Sequence, residues 1–207
     1  MTQNKLIKLG GTLNILTGVL LVLWWLLMGL LLPQTAAKDN FDVIVTHSNW
    51  IPINLIGFAA VLIWSLSFFL IFLIKSDKIK IKGIIGFILG EIGIVWYACI
   101  QYYETFIWPV VGRQYPEMVK IEGALVFGSN IMIIPLLLSG VFLGIGYILI
   151  SIDLIKEKIF PKAIVWILLI GVIIFGNGVL IPVRSVGLLF FTIALFRIGV
   201  ILNKEVK

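Results

Sequence analysis

Six apolar runs, each long enough to cross a lipid bilayer, dominate this chain and leave little room for another architecture. They fall at about residues 9–32, 51–74, 83–108, 124–152, 162–182 and 185–203. A spanning helix needs about 20 mostly apolar residues, because the hydrocarbon core is ~30 Å thick and a helix rises about 1.5 Å per residue. The reading is an all-α polytopic bundle of six transmembrane helices in one domain of 207 residues. At 61% hydrophobic and 13% charged residues, the composition excludes a soluble globular domain and a disordered chain.

The basic residues set the orientation. Twelve of the sixteen Lys and Arg fall at the N-terminus, in the turns after spans two and four, and around the C-terminus: Lys5, Lys8, Lys75, Lys78, Lys80, Lys82, Lys156, Lys158, Lys162, Arg197, Lys204 and Lys207. Only Lys38, Arg113, Lys120 and Arg184 lie on the other side. By the positive-inside rule both termini are cytoplasmic, and the expected location is the cell membrane, where lipids are the first partners. The first run, preceded by Lys5 and Lys8, is too long for the core of a signal peptide and is expected to stay as a helix. A net charge of +6 then reflects cytoplasmic turns rather than nucleic-acid binding. Span four, with Pro135 inside it, is expected to tilt or kink, with a re-entrant Phe127–Ile133 as the alternative.

Few residues carry chemistry. There is one cysteine, Cys99, and one histidine, His47, which excludes an internal disulfide, a bis-histidine haem and a Cys/His zinc site. No phosphate-binding loop, catalytic triad or HExxH motif occurs, so no cofactor or metal is expected. Any enzyme activity would rest on Glu, Asp, Arg or Tyr.

Glu91 is the most informative polar position. It lies nine residues beyond Lys82, ~13 Å into the bilayer, where an unpaired carboxylate costs a few kcal/mol. It shares a helix face with Ile84, Ile88, Val95, Ala98 and Tyr102. Two readings stand: a proton- or cation-binding group facing a cavity, or a glutamic acid bonded to a neighbouring helix at Asn14 or Thr17. A second polar set, Asn54, Gln101, Glu104, Asn130, Asn177 and Arg184, falls toward the outer end of spans two to six. Glu104 is about 220° around the helix from Glu91, so the two carboxyls are no acid/base pair; an ion pair with Arg184 is expected instead. This set is read as the polar mouth of a cavity, or as ordinary headgroup-level polarity. Trp50, Trp108, Tyr102, Tyr103 and Tyr115 are placed as an outer aromatic belt, and Asn14, Thr12 and Thr17 as interhelical hydrogen bonders.

Close helix approach in lipid relies on small residues. Gly86 and Gly90, flanked by Gly83 and Gly93, form one such stripe; Gly140 and Gly144, near Ser139 and Gly146, form another. The hairpin of spans two and three also echoes that of spans four and five: Leu73-Ile74-Lys75 before Lys78 and Lys82 matches Leu154-Ile155-Lys156 before Lys158 and Lys162. A duplication would place a pseudo-two-fold axis along the membrane normal.

From Phe142-x-Gly144-x-Gly146-x-x-Leu149 through Phe160-Pro161-Lys162 to Trp166-x-Leu168-Leu169-x-Gly171, over about 60 residues, the chain resembles a group of uncharacterised bacterial multi-pass proteins. That resemblance implies the fold and a glutamate in the third helix, and transfers no activity. Span number, inside termini and polar outer mouth are also similar to the vitamin-capturing subunits of energy-coupling importers, although span one lacks their small-residue docking motif. Three functions follow as expectations. The first is binding or transport of a small solute or lipid through a cavity open to the outer side. The second is a non-catalytic regulatory, immunity or assembly partner of another membrane protein, with a homo-oligomer in the same class. The third is a lipid-active enzyme.

Overall fold

The computed structural model describes residues 2–32, 41–117, 119, 130–177 and 181–206; the side chains at 41, 130–136, 177 and 181–183 lie outside that description. Among the described residues all regular structure is helical: α1 (Gln3–Leu31), α2 (Phe41–Val45), α3 (Trp50–Ile74), α4 (Ile81–Tyr102), a π-helical turn (Tyr103–Ile107), α5 (Trp108–Gln114), α6 (Asn130–Lys156), α7 (Lys162–Asn177) and α8 (Ile181–Glu205). Five stretches are long and apolar enough to cross a membrane: Gln3–Leu31, Trp50–Ile74, Ile81–Gln114, Leu137–Lys156 and Arg184–Glu205. The chain is thus helical and multi-pass in character.

The expected fifth span is shorter than its apolar run. α7 has 16 residues, about 24 Å of helix against a ~30 Å core, and residues 178–180 lie outside the description. The third span is longer than expected, because α4 continues through the π turn into α5. Helix α6 runs on through Pro135, so Asn130–Ile133 is helical rather than re-entrant; residues 124–129 lie outside the described set.

The six long helices pack in chain order, and α8 closes back on α1. The seams α4–α6, α7–α8 and α1–α3 are more extensive than α3–α4 and α6–α7. The α8–α1 seam is nearly as extensive as α1–α3.

An aromatic plug fills the ring. Trp64 is fully buried, and its indole ring packs on Phe191 of α8 at 4.8 Å, Tyr147 of α6 at 6.3 Å, Phe175 of α7 at 6.5 Å and Tyr97 of α4 at 6.5 Å. Its Nε1 donates to the Tyr147 hydroxyl at 2.8 Å, so the one polar atom of the indole is satisfied in the dry centre. The exterior is the reverse of a soluble protein's surface: Leu66, Leu26, Val95 and Ile88 are each more than half exposed, as side chains facing lipid would be.

The α4–α6 seam is closed by backbone contact. A β-carbon on Gly86 would lie 2.5 Å from the Ile150 nitrogen, one on Gly93 2.7 Å from the Leu143 nitrogen, and one on Gly146 would overlap the Gly90 backbone. Gly146 and Ser139 face the glycine stripe of α4; Ser139 Oγ donates to the Gly93 carbonyl at 3.0 Å. Gly140 faces Gly176 on α7.

Side chains tie the basic end together. The carboxylate of Asp153 on α6 accepts from the Lys80 and Gly83 amides at 2.8 and 3.0 Å, satisfying two of the free N–H groups at the start of α4. Ion pairs join Lys75 to Glu205 at 2.7 Å and Lys80 to Glu157 at 2.5 Å; the hydrogen bond and charge of Glu157 hold Lys80 above its ordinary pKa. Glu205 therefore places the last turn of α8 beside the α3–α4 turn.

Overpacking a close seam costs about 1–3 kcal/mol. Gly146→Val should lower unfolding stability in mild detergent by about that amount or more. Gly29→Val, where a β-carbon meets nothing within 4 Å, should change it by less than about 0.5 kcal/mol.

Candidate functional site

The polar residues in the half of the bundle away from the basic turns, termed outer here, converge on one face of α4. Tyr97, Gln101 and Glu104 are spaced four and three residues apart, so they stack along the helix. At Glu104 the helix widens into its π turn, closed by the Trp108 amide donating to the Tyr103 carbonyl. The cause is Pro109: lacking an N–H, it cannot bond four residues back, and its ring clashes with that carbonyl. One wider turn relieves this, and such turns are frequent at functional sites. Thr105 Oγ1 bonds back to the Gln101 carbonyl at 2.5 Å.

Around this face lies a buried network. Asn54 of α3 and Gln101 are each 1% exposed. Asn54 Oδ1 accepts from Gln101 Nε2 at 3.2 Å and from Trp24 Nε1 at 3.4 Å, while Asn54 Nδ2 donates to the Trp50 carbonyl at 3.0 Å. Gln101 Nε2 also lies 3.4 Å from Glu104 Oε2, and Trp50 Nε1 donates to the Glu104 carbonyl at 2.8 Å. Arg184 of α8 reaches in from the opposite side. Its Nη2 donates to the Tyr97 hydroxyl, and its guanidinium lies 5.7 and 5.2 Å from the Tyr97 and Phe175 ring centres.

The expected ion pair between Glu104 and Arg184 is absent: among the described residues the ion pairs are the two at the basic end. Arg184 sits at the level of Tyr97, seven residues and ~10 Å along α4 from Glu104. Its Nε has no hydrogen-bond partner. Two ionisable groups of opposite sign, both half-buried, therefore border one buried network, each held by neutral neighbours.

Glu91 lies elsewhere. It is half-buried in the α3–α4 seam, where Ser65 Oγ donates to its Oε2 at 2.8 Å and its Oε1 accepts nothing. The expected partners are unavailable to it because α1 packs on α3 and α8, away from α4; Asn14 and Thr17 bond back to the Gly10 and Leu13 carbonyls instead, each at 2.8 Å. Thr12 does the same with Lys8.

Tyr102 is 50% exposed and packs on Phe58 and Phe106, outside the cluster. The side chains of Asn130 and Asn177 lie outside the described residues. Trp50 and Trp108, expected in an outer belt, are 4% and 2% exposed; they pack on each other at 6.4 Å, and Trp50 bonds to the π-turn carbonyl of Glu104. Tyr102 and Tyr115 remain exposed. His47 Nδ1 accepts from the Asn49 amide at 3.2 Å within its own loop.

Sequence reasoning missed Tyr97, Trp24 and Ser65. Tyr97 had a signal in its helical spacing from Gln101 and Glu104; Trp24 and Ser65 had none. A cavity of ≈ 20 Å³, room for about one water, lies between Trp64 and the basic end, lined by Asn14, Ser67, Tyr147 and apolar side chains. It is separate from the outer cluster. Among the described residues no three potential metal ligands gather.

No family model, no curated protein and no solved structure matches this chain.

Removing the shared acceptor should expose the network's cost. Asn54→Leu leaves the Trp24 donor unpaired in a dry site and Gln101 Nε2 with Glu104 alone, a loss of about 1–3 kcal/mol for the orphaned group. Phe58→Leu, at the lipid side of the same helix, should lose less than half of that in the same unfolding assay.

Proposed function

We propose that this chain is a six-pass protein of the cell membrane, with both termini cytoplasmic, that binds a small solute or a lipid headgroup at its outer polar cluster. The supporting observation is that Glu104 and Arg184, both half-buried, border one buried polar network without closing on each other. Buried charges are costly unless paired, and a ligand carrying hydrogen-bond donors and acceptors would complete both. Gln101, Asn54 and Tyr97 supply the positioning groups, and the π turn at Glu104 provides the local irregularity that lets a carboxyl leave the helical register.

The aromatic plug around Trp64 favours binding over conduction, because the ring interior below the cluster is filled by rings in contact. The half-buried Glu91 at the lipid boundary favours a second reading, in which the chain is a non-catalytic partner of another membrane protein.

Native mass spectrometry of gently extracted protein tests the first reading. Wild type should carry a bound small molecule or lipid that falls at least tenfold in occupancy in Glu104→Gln and in Arg184→Gln, and survives in Glu91→Gln. Protein that sprays without ligand in the wild type, or a ligand indifferent to both cluster variants, would overturn it in favour of the partner reading.

A further inference from the structure

Two ionisable side chains at the lipid boundary are left over by the fold, half-buried Glu91 and exposed Arg197, and they carry opposite charges when ionised. Glu91 on α4 lies in a stripe whose other members, Ile84, Ile88, Ile92 and Val95, are exposed at 37%, 51%, 42% and 55%. Among the described residues its carboxyl takes one hydrogen bond, from the neutral Ser65 hydroxyl to Oε2, and its Oε1 is buried without a partner. Arg197 on α8 is exposed, beside Phe196 at 48% and one turn from Ile193 at 43%; among the described residues no hydrogen bond or ion pair engages it.

The two lie at matching depth. The Lys75–Glu205 and Lys80–Glu157 ion pairs bring the starts of α4 and the end of α8 to the same basic end. Glu91 is ten residues from Ile81, about 15 Å along α4; Arg197 is eight residues from Glu205, about 12 Å along α8. An arginine side chain spans the remaining difference.

They also lie on opposite faces. The long helices form a ring in chain order, in which α4 is third and α8 is sixth, so the two stripes point away from each other and cannot meet within one chain. Two copies lying side by side in the same orientation bring one copy's α4 stripe against the next copy's α8 stripe.

We propose that this chain associates head to tail with a second copy, Glu91 of one copy pairing with Arg197 of the next. A charge in hydrocarbon is costly unless it is paired, and this contact pairs both at once while Leu- and Ile-rich surfaces meet around them. A carboxylate oxygen has two lone pairs, so Oε2 can keep its bond from Ser65 and still accept from a guanidinium, while Oε1 stays buried. A two-fold contact through either stripe would instead set like charges together. A head-to-tail contact of this kind generates a closed ring or a row, according to its rotation.

The register extends one turn outward. Val95 is about 21 Å along α4 and Ile193 about 18 Å along α8, the same offset as the charged pair. In a Cys99→Ala background, separately tagged full-length Val95→Cys and Ile193→Cys chains would be mixed in phospholipid vesicles and treated with a short thiol cross-linker. The mixed product should exceed either self-linked product at least fivefold. Adding Glu91→Arg or Arg197→Glu to both chains should remove most of it, and adding both together should restore it, with the unfolding midpoint of each variant confirming a folded bundle. Absence of the mixed product with folded chains would overturn the proposal, leaving Arg197 to snorkel toward the basic end. A dominant Val95→Cys self-product, or no rescue by the charge swap, would overturn it equally. None of these outcomes depends on whether the outer cluster binds a ligand.

Discussion

The Trp64 indole sets the geometry of this protein. A ring of six helices has a hole along its axis, and in a membrane neither water nor lipid fills it cheaply. Here one bicyclic side chain, from the helix that packs beside α1, spans that hole and touches rings from α4, α6, α7 and α8. Its N–H would be a liability in so dry a place, and the Tyr147 hydroxyl removes that liability. The stacked Phe175–Phe191 pair and the Phe68–Tyr147 pair continue the same layer. Interior packing at this density makes each neighbour's position depend on the others.

That plug works only because the seams around it differ. Gly86, Gly90, Gly93 and Gly146 let α4 and α6 meet backbone to backbone, and Gly171 and Gly187 do the same for α7 and α8 against Phe191 and Phe175. Without a hydrophobic drive between helices in lipid, van der Waals contact of this kind is the main cohesive term. The looser α3–α4 seam is where a half-exposed carboxyl is tolerated. Polar side chains are thereby sorted into two places, one sealed among aromatics at the outer end and one at the lipid boundary.

Much of the fold was legible in the chain. Apolar run length and basic turns locate every long helix, since a bilayer's thickness and charge asymmetry act on sequence directly. The Gly86–Gly90 stripe was legible for the same reason: helical periodicity puts small residues on one side whatever they meet. Its counterpart was not, because Gly140, Gly144 and Gly146 lie close in sequence and only the crossing geometry selects among them. Depth along the helices placed Asn54, Gln101, Glu104 and Arg184 in the same half of the bundle, but depth says nothing about azimuth. Arg184 therefore met Tyr97 rather than Glu104, and Glu91 met Ser65 rather than Asn14.

By itself the sequence determined an all-helical chain of membrane-spanning character, its basic end and the few polar residues that a bilayer makes expensive. These depend on one-dimensional quantities: hydropathy, charge and spacing along a helix. Only the tertiary structure decided that the helices close into a ring in chain order, that Trp50 and Trp108 turn inward around the π turn at Pro109, and that Glu104 and Arg184 stay apart. Those outcomes depend on the rotation of each helix about its own axis, which is set by the shapes of the side chains it meets and so cannot be read from any one helix alone.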